Sequence, residues 1–417
     1  MTNPINDINR RDFLKVASSV GVVSLLGAAS VRGAEPNSPK KEEVAKMPEK
    51  LPDMPTRPLG KTGAKVSILN HGLMFDIIPN QILLQKAVEW NITMWDTAAG
   101  YAGGKSEQGI GMFLEKNPDV RKKIFLVTKA SGAQSPSDMT AKLQTSLERL
   151  KTDYVDLIFM HGISKGDVLT PEVKAWAEST KKSGKIKFFG FSTHSNMNGC
   201  MEAAAKAGWI DTVMPVINFR TLQDDATKKA IEACSKAGVG VVAMKTMAKK
   251  SRNESPSNVP SEEREKVLDI FTSKGYSPEQ ARLKYVWQQE GVASICVMMK
   301  TVAQLGSNYA AAVDKTQLTA ADIAAMNAYA KATCDGYCQA CLKCEDGSFQ
   351  NSIPDVMRCL MYHNSYRDPS LAQDYFAQIP ASFRSRLASG DFSAAEARCP
   401  NGLPITSLMR EAAQKLV

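Results

Sequence analysis

Four polar side chains stand at or just beyond the ends of apolar runs: Asp96, Tyr101, Lys129 and His161. Asp96 closes the run Ile92–Asp96, Tyr101 follows in the next loop, Lys129 closes Ile124–Lys129 and His161 closes Val155–His161. These residue types together supply what a controlled proton transfer needs. A tyrosine hydroxyl, with an ordinary pKa of about 10, is a reluctant proton donor near neutrality. A lysine ammonium beside it favours the phenolate and is expected to lower that pKa, and a carboxylate keeps the ammonium charged and in place. On this reading Tyr101 is a general acid/base, Lys129 tunes it, Asp96 orients Lys129, and His161 offers a hydrogen bond to a substrate oxygen.

Such residues need a scaffold that brings strand ends together. Between about residues 56 and 316, eight short apolar runs alternate with amphipathic stretches: Ser67–Asn70, Ile92–Asp96, Ile124–Lys129, Val155–His161, Phe188–Ser192, Thr212–Asn218, Val239–Lys245 and Ala293–Met298. They are almost continuously apolar, as parallel strands covered on both faces must be. Helical patterning separates them, for example over Glu107–Lys116, Pro136–Leu150 and Asp224–Ala237. Eight such repeats predict an α/β fold, a (β/α)₈ TIM barrel, with a doubly wound open sheet as the alternative. No G-x-G-x-x-G follows the first strand, which counts against a Rossmann sheet. The stretch Arg57–Gly63 predicts a small hairpin closing the bottom of the barrel.

The runs Trp95-Asp96-Thr97-Ala98-Ala99-Gly100-Tyr101, Gly104-Lys105-Ser106-Glu107-Gln108-Gly109-Ile110-Gly111, Val127-Thr128-Lys129 and Phe159-Met160-His161 resemble the aldo-keto reductase family, as does Leu59-Gly60-Lys61-Thr62-Gly63. The resemblance spans about residues 56 to 316. It implies hydride transfer between NADP or NAD and a small-molecule carbonyl or alcohol, with Tyr101 protonating the alkoxide as it forms. It also implies a cofactor site. Ser192 matches a family residue that holds the nicotinamide carboxamide, Lys245 would approach the pyrophosphate, and Lys300 and Asn308 would take the adenosine phosphate. Thr193, Met214 and Ile217 depart from the family at positions near the nicotinamide, with Ile217 where an aromatic usually stacks. These departures motivate an alternative function, a nucleotide-binding redox sensor or electron-transfer subunit with little carbonyl turnover. The loop from Lys249 to Ser261 reads as a surface loop or a cofactor clamp.

Six of the nine cysteines fall in the last fifth of the chain. Cys338-x2-Cys341-x2-Cys344 and Cys399-Pro400 are half of the two-cluster ferredoxin pattern, in which each fourth cysteine serves the other cluster. The other cluster's positions hold Ser348, Ser389, Phe392 and Ala395. The survivors are one complete ligand set, and one 4Fe-4S cluster on Cys338, Cys341, Cys344 and Cys399 is expected. The segment also resembles the ferredoxin-like extension of an aldo-keto reductase subgroup. Zinc sites usually pair two separate C-x2-C units, and three cysteines so close in sequence do not readily pair as disulfides. Cys334 and Cys359 stay unassigned, and the cluster is open to a structural role or to a redox partner.

At the N-terminus, Arg10-Arg11-Asp12-Phe13-Leu14-Lys15 precedes a short apolar run, Val16 to Ala29, and resembles a twin-arginine export signal. The expected organisation is a signal peptide over 1–34, a disordered linker over 35–55, the barrel over 56–316 and a helical iron–sulfur extension over 317–417. The twin-arginine translocase is then a partner during export, to the periplasm or otherwise outside the cytoplasm, with no stable transmembrane anchor. A net charge of +9 is interleaved with acids along the chain, without an arginine-rich block, so nucleic acid is not an expected partner.

Overall fold

The computed structural model describes residues 52–248, 269–333, 337–345 and 352–417. The export-signal segment, all but the end of the linker, the 249–261 loop, Cys334 and Ser348 lie outside the described residues.

Eight parallel strands close into a barrel: β3 (Leu69–Gly72), β4 (Met94–Asp96), β5 (Phe125–Ala130), β6 (Val155–Met160), β7 (Ile186–Thr193), β8 (Thr212–Pro215), β9 (Gly240–Met244) and β10 (Val292–Met298), with β10 pairing both β9 and β3. The eight expected strands are all present and in order, and helices lie between them. Helix starts follow local chemistry. Ser135 and Thr170 accept hydrogen bonds from the first-turn amides of Pro136–Leu150 and Pro171–Lys182, each with proline in its first turn. Ser277 and Gln280 form a reciprocal capping box on Pro278–Trp287.

Alternation along each strand makes two cores. Met94, Val127, Leu157, Phe159, Met214 and Val242 fill the barrel interior. Trp95, Leu126, Ile158, Phe191 and Val213 face outward into the layer beneath the helices. The predicted hairpin forms as β1 (Thr56–Pro58) and β2 (Lys65–Ser67), and its Leu59 is fully buried in the interior cluster. Gly60, at φ +54°, lies so close to strand β9 that a Cβ there would meet Gly238 O and Gly240 N at 2.4 Å.

The C-terminal helices Ser352–Asn364, Pro369–Phe376 and Ile405–Lys415 have a core of their own, built from Val356, Leu360, Phe376, Leu387, Leu408 and Met409. The helix Ala320–Ala332 lies past the expected boundary at 316, yet it packs with Phe219 and Phe271 on the barrel side through Met326 and Tyr329. The extension is tied to the barrel by Asn196 N–H to Ala340 O (3.0 Å) and Asn218 Nδ2 to the Tyr337 hydroxyl (2.8 Å). Among the described residues no helix is long and apolar enough to cross a membrane.

Candidate active site

Strand parity sets the site. Met94 and Val127 point into the barrel, so Asp96 and Lys129, two residues further along, point the same way at its C-terminal mouth. Leu157 and Phe159 bring His161 to the same side by the same rule. Lys129 Nζ donates to Asp96 Oδ1, to Thr97 O at 2.8 Å and to the Tyr101 hydroxyl at 3.2 Å. The rings of Tyr101 and His161 meet edge-on with centroids 5.7 Å apart. His161 Nδ1 is 2.7 Å from Ser131 Oγ. All four expected catalytic residues are therefore brought together, and Tyr101 and His161 line one cavity of about 510 Å³.

Tyr101 opens a tight turn, Tyr101–Gly104, in which Ala102, Gly103 and Gly104 take φ values of 49°, 63° and 94°. The φ of Gly104 favours glycine, and a Cβ there would lie 2.6 Å from the Arg149 guanidinium and displace it. Arg149 donates to Ala99 O at 2.9 Å and pairs with the fully buried Glu107 at 3.4 Å, and Glu107 accepts from Thr128 at 2.6 Å. This brace fixes the loop carrying Tyr101 against strand β5. Glu107 and the glycines belong to the sequence pattern already noted, but nothing in the sequence joined them to Arg149.

The electrostatics correct one expectation. Lys129 was expected to lower the Tyr101 pKa; instead burial, and then the Asp96 carboxylate, push it well above 10. The ammonium is committed to Asp96, whose own pKa is raised by burial against the opposing pull of Lys129. Tyr101 is thus a firmly protonated donor in the ligand-free site. Burial and the cations Lys129, Arg358 and Lys245 hold His161 well below 6.5, so it is neutral. In the tautomer whose Nδ1 accepts from the Ser131 hydroxyl, His161 Nε2 carries the proton and can donate to a substrate oxygen.

The expected cofactor residues are more scattered. Ser192 is buried at the end of β7, where its hydroxyl accepts from Gly162 N–H at 3.0 Å. Lys300 lines the catalytic cavity and pairs with Asp368 of the extension at 3.2 Å. Lys245, at φ +55°, donates to the Tyr362 hydroxyl at 3.0 Å and sits over the Tyr362 ring. Asn308 is buried within the helix Val302–Val313. Ile217 is buried in the outer layer, and its neighbour Val216 lines the adjoining cavity with Lys245 and His194. Lys245 and Lys300 are thus each engaged by a residue of the extension, Tyr362 and Asp368.

The aldo/keto reductase family pattern matches residues 80–331. The chain belongs to the aldo/keto reductase family. This aldo/keto reductase is an NAD(P)-dependent oxidoreductase by that membership. It is 24% identical to the L-galactose dehydrogenase of Arabidopsis thaliana over 63% of this chain and 89% of that protein. It is 27% identical to the uncharacterized oxidoreductase YqkF of Bacillus subtilis (strain 168), over 67% of this chain and 97% of that one. Among solved structures it resembles the holo form of aldo-keto reductase AKR11C1 from Bacillus halodurans, with a TM-score of 0.55 at 25% identity, covering 67% of this chain and 97% of that chain. The extension, from Tyr337 on, lies beyond the family match.

In that extension Cys338, Cys341, Cys344 and Cys399 wall one small cavity together with Ile353, Leu403 and Ile405. The loop winds around it with Ala340 and Leu342 at φ 51° and 62°, and Ala340 N–H donates to Cys338 Sγ at 3.4 Å. Burial and the three neighbouring thiols push Cys338 up to about 12. Among the described residues no group of three or more His, Cys, Asp or Glu side chains is arranged to hold a metal ion. Cys359 is a buried free thiol.

Proposed function

We propose that the protein reduces the carbonyl of a small molecule, or oxidises the corresponding alcohol, at the cavity over Tyr101. The observation that carries this is the Lys129 ammonium bound at once to Asp96, Thr97 O and the Tyr101 hydroxyl. A bound NADPH or NADH supplies the hydride. His161 Nε2 and the Tyr101 hydroxyl receive the carbonyl oxygen. Tyr101 passes its proton to that oxygen as negative charge builds there, and Lys129 stands 3.2 Å away to stabilise the phenolate left behind. Asp96 holds the ammonium in place. Ser192, Lys245, Lys300 and Asn308 are the proposed cofactor contacts. The likeness to L-galactose dehydrogenase favours a polar substrate. Purified protein with NADPH and a panel of aldehydes tests the reading: turnover is expected, and its persistence in Tyr101→Phe would overturn it.

We infer further that the extension carries one 4Fe-4S cluster on Cys338, Cys341, Cys344 and Cys399, and that the N-terminal segment directs export by the twin-arginine route. Four thiols around one apolar-walled cavity support the cluster. A tetrahedral zinc, with Zn–S of about 2.3 Å, would need its sulfurs only about 3.8 Å apart. A cubane holds its thiolates further apart than that. Broad absorption near about 400 nm in anaerobic protein is expected; its absence with stoichiometric zinc would overturn the cluster. Cell fractionation of an Arg10→Lys, Arg11→Lys double variant tests export, which the substitution should abolish.

A sensor or electron-transfer role has its own support. Residues lining the cysteine cavity (Cys338, Ala340, Pro354) also line the one beside Lys245, which shares His194 and Arg358 with the catalytic cavity. Tight NADPH binding with no oxidation by any carbonyl would favour that role.

A further inference from the structure

The catalytic cavity is not made by the barrel alone. Opposite the strand-end residues Tyr101 and His161, its wall is supplied by the extension, through Asp355, Arg358, Asp374 and Tyr375. Arg358 stands out among these. Its side chain is only 19% exposed, and its one ionic partner among the described residues is Asp355, one turn earlier, at 3.0 Å. Its guanidinium lies over the Tyr375 ring at 5.4 Å, and its buried Nε has no hydrogen-bond partner among the described residues. An arginine is always charged and carries five donors in a planar fork matched to carboxylate oxygens. Leaving the buried Nε donor unsatisfied beside a ligand cavity is costly unless a ligand supplies an acceptor.

The charges around it agree. Arg358 acts on both His161 and His194 in the sense that disfavours their protonation, as do Lys129 and Lys245. Lys129, Lys245 and Arg358 thus place positive charge around the two histidines of the cavity. The acids that share the lining are engaged or open to solvent. Asp355 pairs with Arg358 itself, Asp368 is held by Lys300 and the Leu371 amide, Asp76 by the Ile78 amide, and Asp374 is exposed.

We propose that Arg358 is a specificity-determining residue that receives a carboxylate borne by the carbonyl substrate. The proposal rests on the reductase reading above for its reaction, but not for its binding step. A substrate with the carbonyl at Tyr101 and His161 and a carboxylate some carbons away would span the cavity from the barrel to the extension. The extension would then choose the substrate that the barrel reduces.

The test uses the full chain and three variants' worth of contrast: wild type, Arg358→Met and Arg358→Lys, with NADPH and the pair succinic semialdehyde and butanal. Wild type is expected to prefer the acid in kcat/KM. Arg358→Met should cut that preference roughly 10- to 100-fold, mainly through KM, as expected for one charge-assisted bond. Arg358→Lys should restore part of it, with an unchanged thermal midpoint and an unchanged Kd for NADPH. Equal use of both aldehydes by wild type would overturn the proposal, as would a preference that survives Arg358→Met. A loss confined to NADPH affinity would also overturn it, by assigning the arginine to a nucleotide phosphate. Calorimetric titration with succinate separates the two readings. Saturable binding lost in Arg358→Met upholds the inference even if no carbonyl is turned over, and no succinate binding sinks it whatever the turnover.

Discussion

Lys129 and its partners are carried by successive parallel strands and the loop between two of them, whereas the four clustered thiols are carried by a loop and a turn some sixty residues apart in sequence. In the barrel, hydrogen-bonded register and side-chain alternation set the position of each catalytic group before any side chain is considered. In the extension, no repeating backbone pattern does this, and the thiols converge only because the helices Ser352–Asn364 and Ile405–Lys415 pack around a shared core. A site on strands tolerates change at its neighbours, while a site on loops stands or falls with the core beneath it.

The largest effect that would break this contrast is at Tyr101. Tyr101→Phe should lower kcat by about 10²- to 10⁴-fold while circular dichroism and NADPH affinity stay unchanged. Should affinity collapse as well, the tyrosine holds the nucleotide and the two regions are less separable than their cores suggest. In the extension the opposite split is expected. Cys399→Ala should abolish cluster absorption and expose residues 352–417 to limited proteolysis, with the barrel fragment surviving; a barrel that melts together with the extension would show one cooperative unit.

Gly111→Ala sharpens the barrel half. Its Cβ would stand 2.0 Å from Arg149 O, so a loss of about 1–3 kcal/mol in denaturant unfolding is expected. An undiminished midpoint would mean the Arg149 brace is not rigid. A smaller effect concerns pH. Because Tyr101 is raised well above 10 and His161 lowered well below 6.5, both keep the protonation that reduction needs across neutrality. Reductive kcat/KM should vary less than about twofold from about pH 6.5 to about pH 9. An alkaline fall centred near about pH 8 would show that Lys129 lowers the tyrosine after all. Smallest of all, Asp368→Asn removes a part-exposed ion pair with Lys300 and should shift stability by no more than about 1 kcal/mol. A tightened Kd for NADPH in that variant would place Lys300 on the nucleotide path.

The barrel was legible because its signals are local and periodic. Eight apolar runs named eight strands, and Asp96, Lys129 and His161 were visible as the polar residues that close three of them. What the sequence hid were contacts made across the chain. Nothing near Arg358 or Tyr375 marks them as walls of a cavity on another part of the fold, and nothing near Arg149 points to Ala99 or Glu107. The pKa of Tyr101 was misjudged for the same reason: burial is a property of the assembled site, and it outweighs the charge of a lysine already bound to Asp96.

The hairpin at the base of the barrel has a consequence for traffic. With Leu59 seated in the interior among Val66, Met94 and Leu157, the axis of the barrel is plugged at that end, so molecules cannot pass straight through. Substrate and product must use the same doorway, at the end where the extension stands. Departure therefore has to precede the next arrival.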